Sequence, residues 1–186
     1  MRVIAGEFKG RPIKSVSNRL TRPTSDKVKE SLFNRIGPFF HQGIGLDLFA
    51  GSGGLGIEAL SRGLDHVIFV DQQKQACDSI KQNIQTLKLT DRSEVYRNDA
   101  FRALKPLSKR DIQFDFIFLD PPYKKNVYEK LLNQLYDYQL THKQTLVICE
   151  HDANLSLPKA VGEWQQVRSE TYGSQIAISL YERKDV

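Results

Sequence analysis

Four consecutive residues, Asp120-Pro121-Pro122-Tyr123, have the composition of a clamp for a planar amino group. Two prolines fix φ at consecutive positions and remove two N–H donors, so the loop offers carbonyl oxygens and a carboxylate without competing donors. Asp120 and the Pro121 carbonyl can each accept one hydrogen of an exocyclic amino group, which directs the nitrogen lone pair toward a methyl donor. Tyr123 can stack on the base. The stretch predicts amino-group chemistry on a nucleobase, and a rigid turn without a ligand is the structural alternative.

A second stretch has the spacing of a nucleotide cradle. Gly51, Gly53 and Gly56 give the pattern G-x-G-x-x-G, preceded by the apolar run 44–49 and followed by a helical pattern that closes at Gly63. Glycines let the backbone turn sharply and approach a ligand, and the helix N-terminus offers unpaired N–H groups. Strand, loop and helix in this order indicate a cofactor site more strongly than the glycines alone.

Two carboxylates favour one class of cofactor over another. Asp71 lies 20 residues after Gly51 at the end of the apolar run 67–70, where an acid can bind two ribose hydroxyls. Asp47 lies just before the glycine loop, and its charge is unfavourable beside a pyrophosphate but acceptable beside a cation. S-adenosylmethionine carries a sulfonium and an ammonium group. The sequence therefore predicts this methyl donor rather than NAD.

Length and composition define the class of protein. With 186 residues the chain has room for one domain with a sizeable core. Cys77 and Cys149 form no metal spacing and no disulfide framework, which fits a reducing compartment. No run approaches 18 apolar residues and the first residues lack a signal-peptide pattern. We expect a cytoplasmic protein, monomeric, with no metal and no membrane partner.

The positive charge is concentrated at one end of the chain. Residues 1–42 hold nine Lys and Arg against three acids, a net +6, whereas residues 43–186 hold 18 against 19, a net −1. A basic patch on one element is typical of proteins that bind phosphate backbones, although a solvated basic face is the simpler alternative. We therefore divide the chain into a basic N-terminal extension, 1–42, and a catalytic domain, 43–186.

The elements that would position these residues alternate between strands and helices. Segments 2–5 and 12–16 predict a small hairpin around Gly6 and Gly10, and 27–36 predicts a helix with a core face and a basic outer face. Strands are then predicted at 44–49, 67–70, 94–97, 114–119 and 145–149, with helices after the first four, and a final antiparallel hairpin at 165–171 and 175–183. This order predicts an α/β fold, a three-layer sheet with one antiparallel edge.

Two further polar residues have competing interpretations. Asp99 can cap the helix that follows it or accept a hydrogen bond from an adenine amino group, and the two roles are compatible. His151, at the end of the fifth strand, could be catalytic, but a hydrogen-bonded structural histidine is the more common case.

The ordered motifs resemble those of the Rossmann-like amino-group methyltransferases. More narrowly, the chain is similar throughout to the bacterial small-subunit (16S) ribosomal RNA guanine-N2 methyltransferases. The matching stretches are RVIAG at 2–6, Gly10-Arg11, TRPT at 21–24, KESLF at 29–33, DLFAGSG at 47–53, Asn98-Asp99 and the DPPY loop. The resemblance implies a mixed seven-stranded sheet with an N-terminal RNA-contacting extension, and a reaction at the N2 amino group of a flipped guanine.

The resemblance and the motifs together identify three sets of site residues. The amino group would be held by Asp120, Pro121, Pro122 and Tyr123. The cofactor would be held by Asp47, Phe49, Ala50, Gly51, Ser52, Gly53, Asp71, Gln72, Asn98, Asp99 and Ala100. Ribosomal RNA, within the small subunit, would be contacted by Arg2, Lys9, Arg11, Lys14, Arg22 and Thr24.

Several other functions remain open at this stage. A DNA adenine-N6 methyltransferase can use the same DPPY loop but usually needs a target-recognition domain, for which this length has no room. A protein-glutamine methyltransferase favours asparagine where this chain has Asp120. An NAD-dependent oxidoreductase would explain the glycines and Asp71 but not the DPPY loop, and a non-catalytic RNA-binding protein would explain the basic extension alone.

Overall fold

The computed structural model describes residues 1–16, 24–122 and 126–185. The helices are α1 (Asp26–Ile36), α2 (Gly54–Ser61), α3 (Lys74–Thr86), α4 (Ala100–Ser108) and α5 (Tyr128–Asp137). The strands are β1 (Ile44–Asp47), β2 (His66–Asp71), β3 (Ser93–Arg97), β4 (Phe114–Leu119), β5 (Thr141–Asp152), β6 (Ala160–Val161), β7 (Trp164–Tyr172) and β8 (Ile176–Arg183).

The strands form one mixed sheet in the order β3-β2-β1-β4-β5-β8-β7-β6. Strands β1 to β5 pair in parallel, and β8, β7 and β6 add an antiparallel edge. The α/β class and the antiparallel edge are confirmed. The predicted number of seven strands is wrong by one, because residues 160 and 161 pair with β7 as a very short outer strand. A two-residue strand has no alternation by which a sequence could reveal it.

Helices cover both faces of the sheet. One apolar cluster packs α4 and α5 against one face, and the other packs α1, α2 and α3 against the opposite face. Val3 and Ile13 of the N-terminal extension are buried in the second cluster. Residues 1–16 therefore lie on the α1–α2–α3 side of the sheet.

The predicted N-terminal hairpin is reduced to a single antiparallel bridge between Arg2 and Pro12. Side chains of the neighbouring helices take the backbone groups that a strand ladder would use. Both carboxylate oxygens of Glu58 accept N–H groups of residues 4 and 5, and Asn83 accepts the N–H of Lys14. Because buried backbone donors need one partner each, these bonds replace further strand pairing.

Helix α1 begins and ends close to the predicted positions. The Ser25 hydroxyl accepts the N–H of Val28 at 3.3 Å, and Gly37 follows the last turn. The prediction of a basic outer face is wrong at one residue, since Lys29 is fully buried.

None of the helices in the described part of the chain has the length and apolar character of a membrane span.

Candidate active site

The carboxyl ends of β1, β2 and β4 meet at one edge of the sheet, where a pocket opens. Asp47, Asp71 and Asp120 each come at or directly after the end of one of these parallel strands. This is the edge at which open α/β sheets bind ligands. Of the residues predicted to hold a cofactor, the pocket is lined by Asp47, Phe49, Ala50, Gly51, Ser52, Asp71, Gln72, Asp99 and Ala100.

Two positions of the G-x-G-x-x-G pattern require glycine for different physical reasons. Gly51 has φ +57°, and a Cβ added there would meet no described atom within 4 Å. It lies at the pocket, so the missing side chain leaves space for a ligand. A Cβ at Gly56 would come within 2.3 Å of the Phe69 ring. That glycine is required for the packing of α2 on the sheet rather than for the approach of a ligand.

Asp71 is held in a fixed orientation at the end of β2. One carboxylate oxygen accepts the Gly51 N–H at 2.9 Å, and the other accepts the Gln73 N–H at 2.9 Å. A carboxylate has about four lone-pair sites, so two backbone bonds leave acceptor capacity on each oxygen. The half-buried carboxylate is thus oriented for a pair of hydroxyl groups, as a ribose would present.

Asp47 is buried at the base of the glycine loop. Its Oδ2 accepts the Gly56 N–H at 3.2 Å, which joins β1 to the start of α2. Burial raises the pKa of Asp47 to about 7, and the nearby Asp71 charge adds to the rise. A positively charged ligand in the pocket would favour the ionised form.

Asp99 caps α4. Its Oδ1 accepts the N–H groups of Phe101 and Arg102, so the capping role is confirmed, and the contact with an adenine stays a prediction. Neighbouring Asn98 does not line the pocket in the described structure. Its side-chain oxygen accepts the Asp99 N–H at 2.9 Å, and it orients the cap from behind. Gly53 also lies outside the pocket lining, at the N-cap of α2 with φ +84°.

The DPPY loop follows β4 into the pocket. Asp120, Pro121 and Pro122 line it together with the cofactor residues, whereas Tyr123 lies outside the described residues. Burial raises the pKa of Asp120 well above its ordinary value, and the charges of Glu150 and Asp47 raise it further. The carboxylate that the sequence predicts for catalysis is therefore one of a group of like charges.

Glu150 belongs to this group and was missed by the sequence analysis. Leu119 pairs with Cys149 in the sheet, so Asp120 and Glu150 follow side by side on adjacent strands. Burial raises the pKa of Glu150 to about 7, while a hydrogen bond from the Thr24 hydroxyl, 2.7 Å from its Oε2, partly opposes the rise. No local pattern distinguishes this glutamate, because its environment comes from a residue 126 positions earlier.

The predicted RNA-binding residues fall into two groups. Arg2, Lys9, Arg11 and Lys14 are exposed, with Arg2 paired to Asp26 at 2.9 Å and the Lys14 ammonium donating to Gln82 at 3.0 Å. Thr24 is instead buried at the pocket and bonded to Glu150. Arg22 lies outside the described residues. The role of the exposed cations stays a prediction.

Lys29 does not lie on the outer face predicted for it, whereas His151 fits its predicted structural role. Lys29 lines the pocket, yet its ammonium donates to the Arg2 carbonyl at 2.7 Å and lies 3.5 Å from Glu58. His151 is buried, with Nε2 2.8 Å from the Ser179 hydroxyl and Nδ1 2.9 Å from the Asp152 carbonyl. Both ring nitrogens are engaged, which supports the structural interpretation of this histidine.

The pocket is acidic. Four carboxylates, Asp47, Asp71, Asp99 and Asp120, line it with Lys29 as the only described cation, and Lys29 is paired with Glu58. Such a surface repels a pyrophosphate and attracts a cation. The residues present therefore fit S-adenosylmethionine, with its sulfonium and ammonium charges, better than a dinucleotide.

Comparison with known proteins agrees with this geometry. The family model "Conserved hypothetical protein 95" matches residues 1–182. YlbH of Bacillus subtilis, named as a candidate rRNA methyltransferase, is 52% identical over 184 residues, 99% of this chain and 100% of that protein. The Ribosomal RNA small subunit methyltransferase D of Haemophilus influenzae is 36% identical over 98% of this chain and 93% of its own length. The chain belongs to this family of bacterial ribosomal RNA methyltransferases.

A solved structure extends the agreement to the fold. The Escherichia coli methyltransferase candidate YhhF superposes with a TM-score of 0.85 at 31% identity, over 99% of this chain and 98% of that one. The chain is therefore a Rossmann-like methyltransferase with S-adenosylmethionine as its cofactor, which confirms both predictions. Membership of the family removes the NAD-dependent oxidoreductase from the alternatives.

Proposed function

We propose that this methyltransferase transfers a methyl group from S-adenosylmethionine to the N2 amino group of a guanine in small-subunit ribosomal RNA. The observation that carries the proposal is the position of Asp120-Pro121-Pro122, at the carboxyl end of β4 beside the acidic cofactor pocket. The similarity to a small-subunit RNA methyltransferase supports the RNA class, and the motif resemblance supports guanine N2.

Three of the predicted cofactor residues would have distinct roles. Asp71 would bind the ribose hydroxyls through the free lone pairs of its oriented carboxylate. Asp47 would face the positive charge, and Gly51 would leave room for the ligand against the loop. Bound S-adenosylmethionine supplies a methyl group that its sulfonium has already activated.

The DPPY loop would hold the acceptor. Asp120 and the Pro121 carbonyl accept the two hydrogens of the amino group, so the nitrogen lone pair points away from both acceptors. Orientation of this kind can contribute about 7–11 kcal/mol to lowering a barrier. Tyr123 would stack on the guanine, a contact worth about 1–3 kcal/mol.

The nitrogen must lose one proton as it forms its bond to the methyl carbon. Asp120, which lines the pocket, would take that proton. Its raised pKa brings its basicity closer to neutral pH, where a general base is most effective. Burial is the main cause of that raised pKa, and the charge of Glu150 on the adjacent strand raises it further.

The RNA would reach the site as a single strand or a loop, because an amino group inside a paired stem cannot meet the donor. Extrusion of a paired base costs a few kcal/mol, which the protein would have to offset by binding. The exposed cations of residues 1–42, with Arg22, would contact the phosphates around the target.

One labelling experiment tests the proposal. Small ribosomal subunits from cells lacking this gene are incubated with the protein and methyl-labelled S-adenosylmethionine, and the RNA is digested to nucleosides. We expect label in N2-methylguanosine. Label in N6-methyladenosine would keep the loop chemistry but reject guanine, and label in glutamine of a protein would reject RNA altogether.

A further inference from the structure

A groove on the other face of the sheet from the N-terminal extension is lined by cations. It runs between α4 and α5 and is lined by Phe101, Arg102, Lys105, Pro106, Lys109, Gln134 and Tyr138. We refer to these seven residues as the α4–α5 groove. Helices α4 and α5 pack against the sheet face opposite to the one that α1 and the extension cover.

The charge of the α4–α5 groove is of one sign. Arg102, Lys105 and Lys109 are exposed, and none of the three forms an ion pair with any residue that the structure describes. The adjacent Arg110 differs, since both its terminal nitrogens bond Glu94, at 3.0 and 3.2 Å. The described lining of the groove contains no acid. Three unpaired cations with no neutralising carboxylate attract a polyanion.

The three cations are arranged along a line. Arg102 and Lys105 lie at positions i and i+3 of α4, and Lys109 is its C-cap residue with right-handed helical dihedral angles, so the three cations extend over about 10 Å along the helix axis. The opposite side of the groove presents Gln134 of α5 and its C-cap residue Tyr138, which are one helical turn apart. A linear array of cations facing a polar and aromatic wall suits an extended phosphate backbone with bases alongside it.

The groove begins at the cofactor pocket. Phe101 lines both cavities, and α4 starts directly after Asp99, which lines the pocket. The Lys130 ammonium lies 4.7 Å from the centroid of the Phe101 ring, which adds a fourth cation at this junction. A strand whose target base occupied the pocket could therefore continue directly into the groove.

We propose that the α4–α5 groove binds the sugar-phosphate backbone of the RNA next to the target nucleotide. The substrate would then cross the carboxyl edge of the sheet and contact cations on both faces, rather than those of residues 1–42 alone. The inference rests on the proposed function, because it takes the polyanion to be the RNA that is methylated.

The test compares two triple variants of equal charge change. Arg102→Ala/Lys105→Ala/Lys109→Ala removes the groove cations. Lys143→Ala/Lys159→Ala/Lys184→Ala removes three cations from segments outside the pocket and the groove. Binding of deproteinised small-subunit RNA and of intact small subunits is measured from 50 to 200 mM salt. Methyl transfer, cofactor affinity and melting temperature are recorded in parallel.

We expect the groove variant to weaken RNA binding about tenfold or more at 0.15 M salt, and to lower the slope of log K against log salt by about 2. KM for the RNA substrate should rise with it, while cofactor affinity and melting temperature stay unchanged. The control variant should keep the wild-type slope. Lys105→Glu should weaken RNA binding more than Lys105→Ala does, because the added carboxylate repels the phosphates.

Three results would overturn the inference. These are an unchanged slope in the groove variant, an equal loss in the control variant, or a loss seen only with intact subunits, which would assign the groove to a ribosomal protein. If the wild type labels no RNA, the proposed function fails, and the salt slope of RNA binding still decides whether the groove holds a phosphate backbone.

Discussion

Glu58 and the acidic residues near the pocket have opposite surroundings. Glu58, on α2, is bonded by Arg62 at 2.9 Å, lies 3.5 Å from the Lys29 ammonium, and accepts the N–H groups of residues 4 and 5. Asp47 and Asp120 at the pocket, and Glu150 on the strand beside Asp120, have no cationic partner among the described residues.

The difference separates a structural role from a ligand-binding role. Glu58 joins the N-terminal extension to α1 and α2, and every charge in that network has an opposite charge beside it. At the pocket, burial and like charges raise the pKa values of the acids instead. Negative charge that the protein does not neutralise is available for a cationic cofactor and for a proton released in the reaction.

The largest effect is expected for Asp120→Ala, which tests the catalytic role of the carboxylate at the pocket. Because it removes both an amino-group acceptor and the proposed base, we expect kcat to fall about 10²–10⁴-fold with cofactor affinity kept. Single-turnover methyl transfer to small subunits measures the effect. Asp137→Ala, an exposed acid on α5, is the matched control. Full activity in Asp120→Ala would place the chemistry elsewhere.

Glu58→Gln tests the structural role assigned to Glu58. The substitution leaves the buried Lys29 and Arg62 without their negative partner, and we expect the free energy of unfolding to fall by about 3–5 kcal/mol. Denaturant unfolding measures the loss. Asp78→Asn, which breaks only the exposed pair with Lys74, should leave the melting temperature unchanged. Equal stability of Glu58→Gln and wild type would contradict the role assigned to the network.

The pH dependence of cofactor binding tests the ligand-binding role of Asp47 at the pocket. The pKa of Asp47 in the free protein is raised to about 7, so affinity for the cationic cofactor should increase as pH rises through that value. Asp47→Asn should flatten the dependence and weaken binding at pH 8 by about tenfold, close to 1.4 kcal/mol. Calorimetric titration from pH 6 to 8.5 measures it. A parallel slope in both proteins would exclude Asp47 as the group responsible.

The same shift has a consequence for stability without the cofactor. A carboxyl whose folded pKa lies above its unfolded value binds more protons in the folded state, so its contribution is fully present below about pH 4. That contribution is lost progressively as pH rises toward 7. The melting temperature of the wild type should therefore fall with increasing pH over this range more steeply than that of Asp47→Asn.

Thr24→Val tests the hydrogen bond that the Glu150 carboxylate accepts. It removes the hydroxyl that donates to Glu150 at 2.7 Å, leaving a buried carboxylate oxygen unsatisfied, and we expect a loss of stability of about 1–3 kcal/mol. Thr24→Ser keeps the donor and should restore stability. Chemical denaturation of the two variants provides the measurement, and full stability of Thr24→Val would contradict a stabilising role of this hydrogen bond.

Much of the fold could be predicted from local patterns. Strand β4 has the predicted bounds, 114–119, because a run that is apolar except for Asp115 lies between polar residues and admits one buried strand. Helix α1 differs by one residue at its start, because Ser25 and Gly37 provide local start and stop signals. The short β6 and the reduced N-terminal hairpin could not be predicted, because each depends on which distant groups compete for the backbone.

The order of elements, the glycine loop, the acids at the strand ends and the DPPY loop could all be predicted from the chain, because residues close together in the sequence encode them. Which charges are buried, and with what partners, depends on the tertiary fold. The sequence predicts a surface position for Lys29, whereas the fold buries it beside Glu58. Glu150 is distinguished only by its position next to β4 and by its hydrogen bond from Thr24. The alignment of Arg102, Lys105 and Lys109 beside α5 is of the same kind. Burial and electrostatics depend on the distances between residues far apart in the chain, and folding alone sets those distances.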